Sequence, residues 1–204
     1  MASATLPKRL FDLVGATAGL LAFSPVMAAI AGAIVLEDGW PVLFRQERLG
    51  RDRRPFAILK FRSMRHGRIT RVGRMLRATG LDELPQFVNI LRGDMNLVGP
   101  RPHRVPKFEL FVEQIPYFWL RFTIRPGLTG WAQTRYAYAQ TLEEETEKVR
   151  YDLYYLKHMS FWLDVRILVD TIKIVLLSRG SAGAPRRETV VVTNEHAETR
   201  LSAA

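Results

Sequence analysis

Leu13 to Leu36 is a run of 24 residues without one charge, and it constrains everything else the chain can do. As a continuous helix it would be about 36 Å long, enough to cross a bilayer core of about 30 Å. Lys8, Arg9 and Asp12 precede it, and an arginine-rich segment beginning at Arg45 follows it without a small-residue cleavage site, so a secretory signal does not fit. Two features oppose a plain span. Ser24-Pro25 falls at the midpoint, where proline deprives the Leu21 carbonyl of its helical donor; the Ser24 hydroxyl is placed to bond that carbonyl and make the bend tolerable in lipid. Both flanks are also basic, so a single crossing would carry one cationic cluster over, against the positive-inside tendency. Each half is only about 18 Å long, too short to cross alone. Two arrangements remain: a kinked span, or a re-entrant hairpin over residues 1–40 that dips into one leaflet and returns.

The charge is as uneven as the hydropathy. Of a net +10, the whole excess sits between Arg45 and Arg77, where twelve Lys and Arg face only Glu47 and Asp52. Its partner is therefore anionic: phosphates, an acidic membrane surface or nucleic acid. The absence of cysteine removes disulfide scaffolds, thiolate metal sites and cysteine nucleophiles. The histidines (His66, His103, His158, His196) are scattered and carry no metal-ligand spacing.

Beyond the apolar run, one domain is expected over residues 41–178 and a mobile tail over 179–204, with a short extended stretch at Thr189–Val192. The fold class is α+β, mostly helical with few short strands. Val42-Leu43-Phe44 and Phe56-Ala57-Ile58-Leu59 read as strands. Arg65, Arg68, Arg71, Arg74 and Arg77 recur every third residue, as a solvated charged face would. Leu84–Leu91 reads as a short helix, with Pro85 in its first turn and Gly93 at its end. Glu143–Leu156 reads as a surface helix. Phe161–Leu177 is amphipathic: Phe161, Val165, Leu168, Ile172 and Val175 share one face, and Asp164, Asp170 and Lys173 the other, so it either packs on the core or lies along a membrane interface.

The chemistry centres on Asp82-Glu83. An acidic pair at a helix start is ordinarily a cap. Here Arg77 stands beside it, and the Pro-rich turns carrying Arg101 and Arg125 are able to converge on it. Carboxylates and arginines around one helix end suit a phosphate substrate with Mg²⁺, which takes one or two carboxylates plus phosphate oxygens. A carboxylate is ionised at neutral pH and needs no base to act as a nucleophile; its obstacle is repulsion from the phosphate, which cations reduce. Physics alone leads to a membrane-associated protein that handles phosphates.

A series of motifs then occurs in order: Lys8-Arg9-x-x-Asp12, Ser24-Pro25, Lys60-Phe61-Arg62-Ser63-Met64, Leu81-Asp82-Glu83-Leu84-Pro85-Gln86, Gly93 to Pro102, Arg125 to Gln133, and Tyr151-Asp152-Leu153-Tyr154-Tyr155. Together they resemble the bacterial sugar transferases, the monotopic polyprenyl-phosphate phosphoglycosyl transferases, from about Lys8 to Leu177. The resemblance implies transfer of a sugar-1-phosphate from a UDP-sugar to undecaprenyl phosphate, with release of UMP, at the cytoplasmic face of the bacterial inner membrane. It implies a re-entrant helix broken at Ser24-Pro25 and bearing Lys8, Arg9 and Asp12, with amphipathic helices at the phospholipid surface. It also implies that Asp82 is the nucleophile and that Glu83, with Asp82, ligates Mg²⁺. Arg77, Arg101 and Arg125 would hold phosphates, Lys60 and Arg62 would line the same site, and Thr129 and Gln133 are further substrate-binding candidates. Gly80 and Asn96 stand where small hydroxyl residues are frequent, and the linker from Met64 to the acidic pair is short. The multi-span module that precedes the match in larger members of that family is not in this sequence, so either a minimal form or a piece of a longer protein is expected. The C-terminal portion resembles members that start an exopolysaccharide with a hexose, which implies glucose or galactose rather than an N-acetylated sugar, and no nucleic-acid partner is expected. One rival reading is a membrane-tethered binder of nucleic acid or anionic lipid acting through residues 45–77, in which Asp82 and Glu83 are only caps; another is a polyprenyl-phosphate hydrolase with the same phosphate site.

Overall fold

One helix, α1 (Leu6–Asp38), takes up the apolar run and runs through Pro25 without a non-helical break. The expected interruption is therefore not a change of secondary structure: Ser24 Oγ donates to the Leu21 carbonyl at 2.9 Å and replaces the bond that proline cannot make. Leu21 to Val26 are exposed, whereas each arm of the helix rests one side on the rest of the protein. In the first arm Ala16 lies fully buried in a core with Phe87, Ile90, Leu97, Tyr155 and Ile167. In the second, Ile30 and Ile34 pack with Val42, Phe61 and Leu76. The computed structural model describes residues 6–136 and 141–177; the tail expected over 179–204, with its extended stretch, lies outside the described residues.

Polar contacts reinforce both arms. Lys8 pairs with the buried Asp164 at 2.6 Å, and Asp12 accepts from the Leu97 amide at 3.0 Å. At the other end Glu37 accepts from the amides of Arg71 and Val72 at 2.7 and 2.8 Å, closing the first turn of α2 (Arg71–Thr79). The charged residues flanking the apolar run thus hold the helix to the domain.

Strands β1 (Leu43–Leu49) and β2 (Pro55–Phe61) pair antiparallel with Leu43 opposite Phe61 and Leu49 opposite Pro55. A two-residue hairpin follows, β3 (Met64–Arg65) and β4 (Arg68–Ile69), closed by His66 and Gly67 at φ 48° and 78°. Both turn residues have positive φ, as a twist-matched hairpin turn requires. The arginine row is therefore divided: Arg65 and Arg68 belong to the hairpin, and Arg71, Arg74 and Arg77 to α2.

After α3 (Gln86–Arg92), β5 (Asn96–Val98) pairs in parallel with β6 (Gly127–Thr129), placing Asn96 opposite Gly127. α4 (Val105–Gln114) lies between these strands in sequence, and α5 (Trp131–Arg135), α6 (Leu142–His158) and α7 (Phe161–Leu177) follow them. α6 opens on a capping box of Thr141 and Glu144, but it is not a simple surface helix: Glu145, Val149, Asp152 and Tyr155 face inward. In α7 the sequence reading placed Asp164 on the polar face, yet it is 3% exposed, accepting from the Tyr155 hydroxyl at 2.7 Å as well as pairing with Lys8. The inward face centres on Asp164 and Ile167, because Lys8 and Tyr155 supply the partners that make a buried carboxylate possible. Much of the expected apolar stripe, Phe161, Ile172 and Val175, consequently points outward together with Trp162.

Candidate active site

α2 ends at Thr79, Gly80 turns the chain at φ 73°, and Leu81–Glu83 form a single 3₁₀ turn before α3. Leu81 and Leu84 pack into the core beside Phe61 and Leu76, anchoring the turn on either side of the acidic pair. Asp82 is 5% exposed. Glu83 reaches β2 and the loop after β5: its Oε1 accepts from Lys60 Nζ at 2.9 Å and from Arg101 Nη2 at 2.6 Å, and its Oε2 from Arg101 Nη1 at 3.2 Å. The Arg101 contact is the two-pronged arrangement in which guanidinium recognises carboxylate or phosphate. Burial pushes the Glu83 carboxyl up, but the charges and hydrogen bonds of Arg101 and Lys60 outweigh it and hold the group well below the usual carboxylate range.

The other residues named from sequence are distributed around this centre. Arg77, in the last turn of α2, donates from Nε to Ser63 Oγ at 2.9 Å. Arg62, two residues beyond Lys60, donates to the carbonyls of Asp38 and Gly39 at 3.2 and 2.7 Å, so it secures the exit of α1. Arg125 stands among Arg9, Arg51, Asp12 and Asp94, and burial and the two neighbouring arginines push its pKa down. Arg9 in turn donates to the carbonyls of Ile90 and Leu91, which places Arg125 by the C-terminal end of α3 while Asp82 and Glu83 precede its N-terminal end. Thr129 shares a 2.7 Å hydrogen bond with Thr171 of α7. Gln133 Nε2 donates to the Leu128 carbonyl at 3.2 Å across the turn between β6 and α5. Of the named residues, Lys60, Glu83 and Arg101 are joined by direct contacts, and Asp82 adjoins them in sequence.

Next to Arg101 lies a buried charged cluster that the sequence reading missed. Arg121, His103, Glu145 and Asp152 are each 8% exposed or less. Arg121 Nη2 lies 2.6 Å from Asp152 Oδ2, and His103 Nε2 lies 3.0 Å from Glu145 Oε1. One signal for it exists in the sequence: Glu145 and Asp152 occupy helical positions i and i+7 on the same side as Val149, where a core stripe belongs.

The profile of the family described as bacterial sugar transferase matches residues 3–178. The chain belongs to the bacterial sugar transferase family. Among curated members of the family, a UDP-N-acetylgalactosamine-undecaprenyl-phosphate N-acetylgalactosaminephosphotransferase of Aeromonas hydrophila is 42% identical over 85% of this chain and 44% of its own length. A UDP-glucose:undecaprenyl-phosphate glucose-1-phosphate transferase of Escherichia coli K12 is 43% identical over 82% of the chain and 39% of its own length. A Caulobacter vibrioides protein of the same description is 41% identical over 84% of the chain and 70% of its own length. The chain thus spans less than half the length of the first two of these family members.

For Mg²⁺, the chemistry of the donor set is informative. No three His, Asp or Glu side chains gather among the described residues as a self-sufficient metal set. Two adjoining carboxylates are the hard oxygen donors Mg²⁺ takes when phosphate oxygens and water complete its shell. Both Glu83 oxygens already accept from Lys60 and Arg101, so Glu83 could ligate such an ion only where phosphates take over those cations.

Proposed function

We propose that the chain transfers a sugar-1-phosphate, a hexose-1-phosphate in the first instance, from a UDP-sugar to undecaprenyl phosphate and releases UMP. This would be the first membrane step in assembling an exopolysaccharide or another glycoconjugate. The observation that carries the reading is the buried Asp82 beside a Glu83 clamped by Arg101 and Lys60. The activities for which the relatives are named supply the substrate class.

In the first step an Asp82 carboxylate oxygen attacks the phosphorus that bears the sugar, and the bond from that phosphorus to the oxygen of UMP breaks. Asp82 then carries the phosphosugar as a mixed anhydride. In the second step a phosphate oxygen of undecaprenyl phosphate attacks the same phosphorus and Asp82 leaves as carboxylate. Lys60 and Arg101 neutralise Glu83 until the diphosphate arrives, and then turn toward phosphate oxygens, lowering the repulsion between two anions. Glu83, with Asp82, would hold Mg²⁺, whose chemistry is to draw off the charge developing on the departing UMP. Purified protein supplied with undecaprenyl phosphate and a panel of UDP-sugars is expected to release UMP with one of them. Release of inorganic phosphate from the lipid with no nucleotide sugar would instead make it a phosphatase, and release of neither would overturn the reading.

The same reading places α1 as a re-entrant anchor at the cytoplasmic face of the bacterial inner membrane. Its two arms are packed on one body, while Leu21–Val26 stand exposed between them, as an apex dipping into one leaflet requires. The outward apolar residues of α7, with Trp162, suit the headgroup level. Cysteines introduced at positions 3 and 50 are expected to react with impermeant reagents from the cytoplasmic side only. Labelling from opposite sides would make α1 a span.

A further inference from the structure

We propose that Arg121, His103, Glu145 and Asp152 form a positioning device for Arg101, holding the backbone of the loop after β5 so that the guanidinium is presented to the phosphates of the donor. This rests on the phosphate-handling role proposed for Arg101. The four consecutive carbonyls of Pro100, Arg101, Pro102 and His103 each accept a hydrogen bond: from the Gly127 amide at 2.9 Å, Arg121 Nη2 at 3.2 Å, Arg48 Nη1 at 3.0 Å and the Leu49 amide at 3.0 Å. Pro100 and Pro102 fix φ on either side of Arg101. A fork whose own backbone cannot drift loses less entropy when it engages an anion.

Two side chains, Arg48 and Arg121, take part in this loop support, and Arg121 is the one that holds the carbonyl of Arg101 itself. Its guanidinium is 1% exposed, pairs with Asp152 at 2.6 Å, and spends Nη2 on the Arg101 carbonyl. Its Nη1 donates to His103 Nδ1 at 2.9 Å. Because His103 Nε2 faces the Glu145 carboxylate, the two contacts are satisfied together by a neutral ring with its proton on Nε2. Burial and the Arg121 charge push the His103 pKa down to about 3, which keeps the ring neutral. Glu145 is held below the usual carboxylate range: burial raises it, and the His103 hydrogen bond and the Lys148 and Arg121 charges more than offset that. Two cations, Arg121 and Lys148, therefore meet two carboxylates, Glu145 and Asp152. Packed apolar side chains would serve stability as well as a buried ionic cluster does. They could not donate to the Arg101 carbonyl.

The test is a double-mutant cycle, read as kcat and KM for the UDP-sugar that gives the fastest UMP release in the panel above. Asp152→Asn leaves Arg121 short of its counter-charge, and His103→Gln is the second variant should Asp152→Asn fail to fold. Either is expected to lower kcat/KM about tenfold, chiefly through KM, and to lower it less than twofold when Arg101 is already Ala. An equal loss in both backgrounds would mean that the cluster only supports the fold, and the proposal falls. An Arg101→Ala protein as active as the parent would instead remove the phosphate role of Arg101, and this proposal with it.

Discussion

Asp82→Asn is expected to lower UMP release by at least about a thousandfold, which corresponds to about 4 kcal/mol of barrier. The substitution keeps the shape of a side chain that is 5% exposed, so the turn from Leu81 to Glu83 and its packing on Leu76 and Phe61 should survive. What disappears is the anionic oxygen that forms the bond to phosphorus. The covalent step has its own signature. The parent protein, given UDP-sugar and Mg²⁺ with the lipid acceptor withheld, should gain the mass of one phosphosugar, and Asp82→Asn should gain none. An Asn variant within tenfold of the parent, or a parent whose mass does not change, would point to direct transfer between the two substrates. Glu83→Gln tests something different, because it leaves Lys60 and Arg101 without the carboxylate that both of them contact. Its loss should be shared between catalysis and local stability.

A Gly127→Ala protein should scarcely accumulate in folded form. A Cβ at position 127 would stand 2.1 Å from the Gly99 nitrogen, 2.4 Å from the Thr129 oxygen and 2.6 Å from the Gly99 oxygen, all of them backbone atoms that no rotamer change can move. The chain there is held by bonds from Asn96 N to Pro126 O at 2.8 Å, Gly99 N to Thr129 O at 2.9 Å and Gly127 N to Pro100 O at 2.9 Å. Relief of the clash breaks some of these and loosens the loop that carries Arg101, at a cost of roughly 3–5 kcal/mol, a large part of an ordinary domain's stability. Gly32→Ala is the control, because nothing lies within 4 Å of a Cβ there and alanine favours the helix. Thermal melts in detergent should show the first protein strongly destabilised and the second unchanged or slightly improved. A Gly127→Ala midpoint within a few degrees of the parent would show that the close approach of the two loops is dispensable.

Much of the local structure was legible because its causes are local. The absence of charge from Leu13 to Leu36, the proline at its midpoint and the serine that compensates for it are features of consecutive residues, and α1 and the bond from Ser24 to Leu21 follow from them. The same holds for the strands around Val42–Phe44 and Phe56–Leu59, for α7, and for the acidic pair placed just before α3. The regular arginine spacing misled because a sequence interval does not reveal that His66 and Gly67 reverse the chain within it.

Long-range pairing was not legible. Asp164 looked like a polar-face residue and is instead the buried partner of Lys8, 156 positions away. Arg62 and Lys60 sit two residues apart in one motif, yet Lys60 reaches Glu83 and Arg62 the end of α1. Arg101 and Arg125 lie in similar Pro-rich turns, but one clamps Glu83 and the other stands among Arg9, Arg51 and Asp94. The sequence by itself determined the apolar helix with its internal Ser24-Pro25, the basic segment and the adjoining acids. Those are written in residue type and spacing, and each acts within a few residues of itself. The tertiary structure alone decided which cations face Glu83 and which carboxylates are buried. A charge can be buried only where a partner comes within a few ångströms, and the packing of α1, α6 and α7 around the two strand pairs brings those partners together.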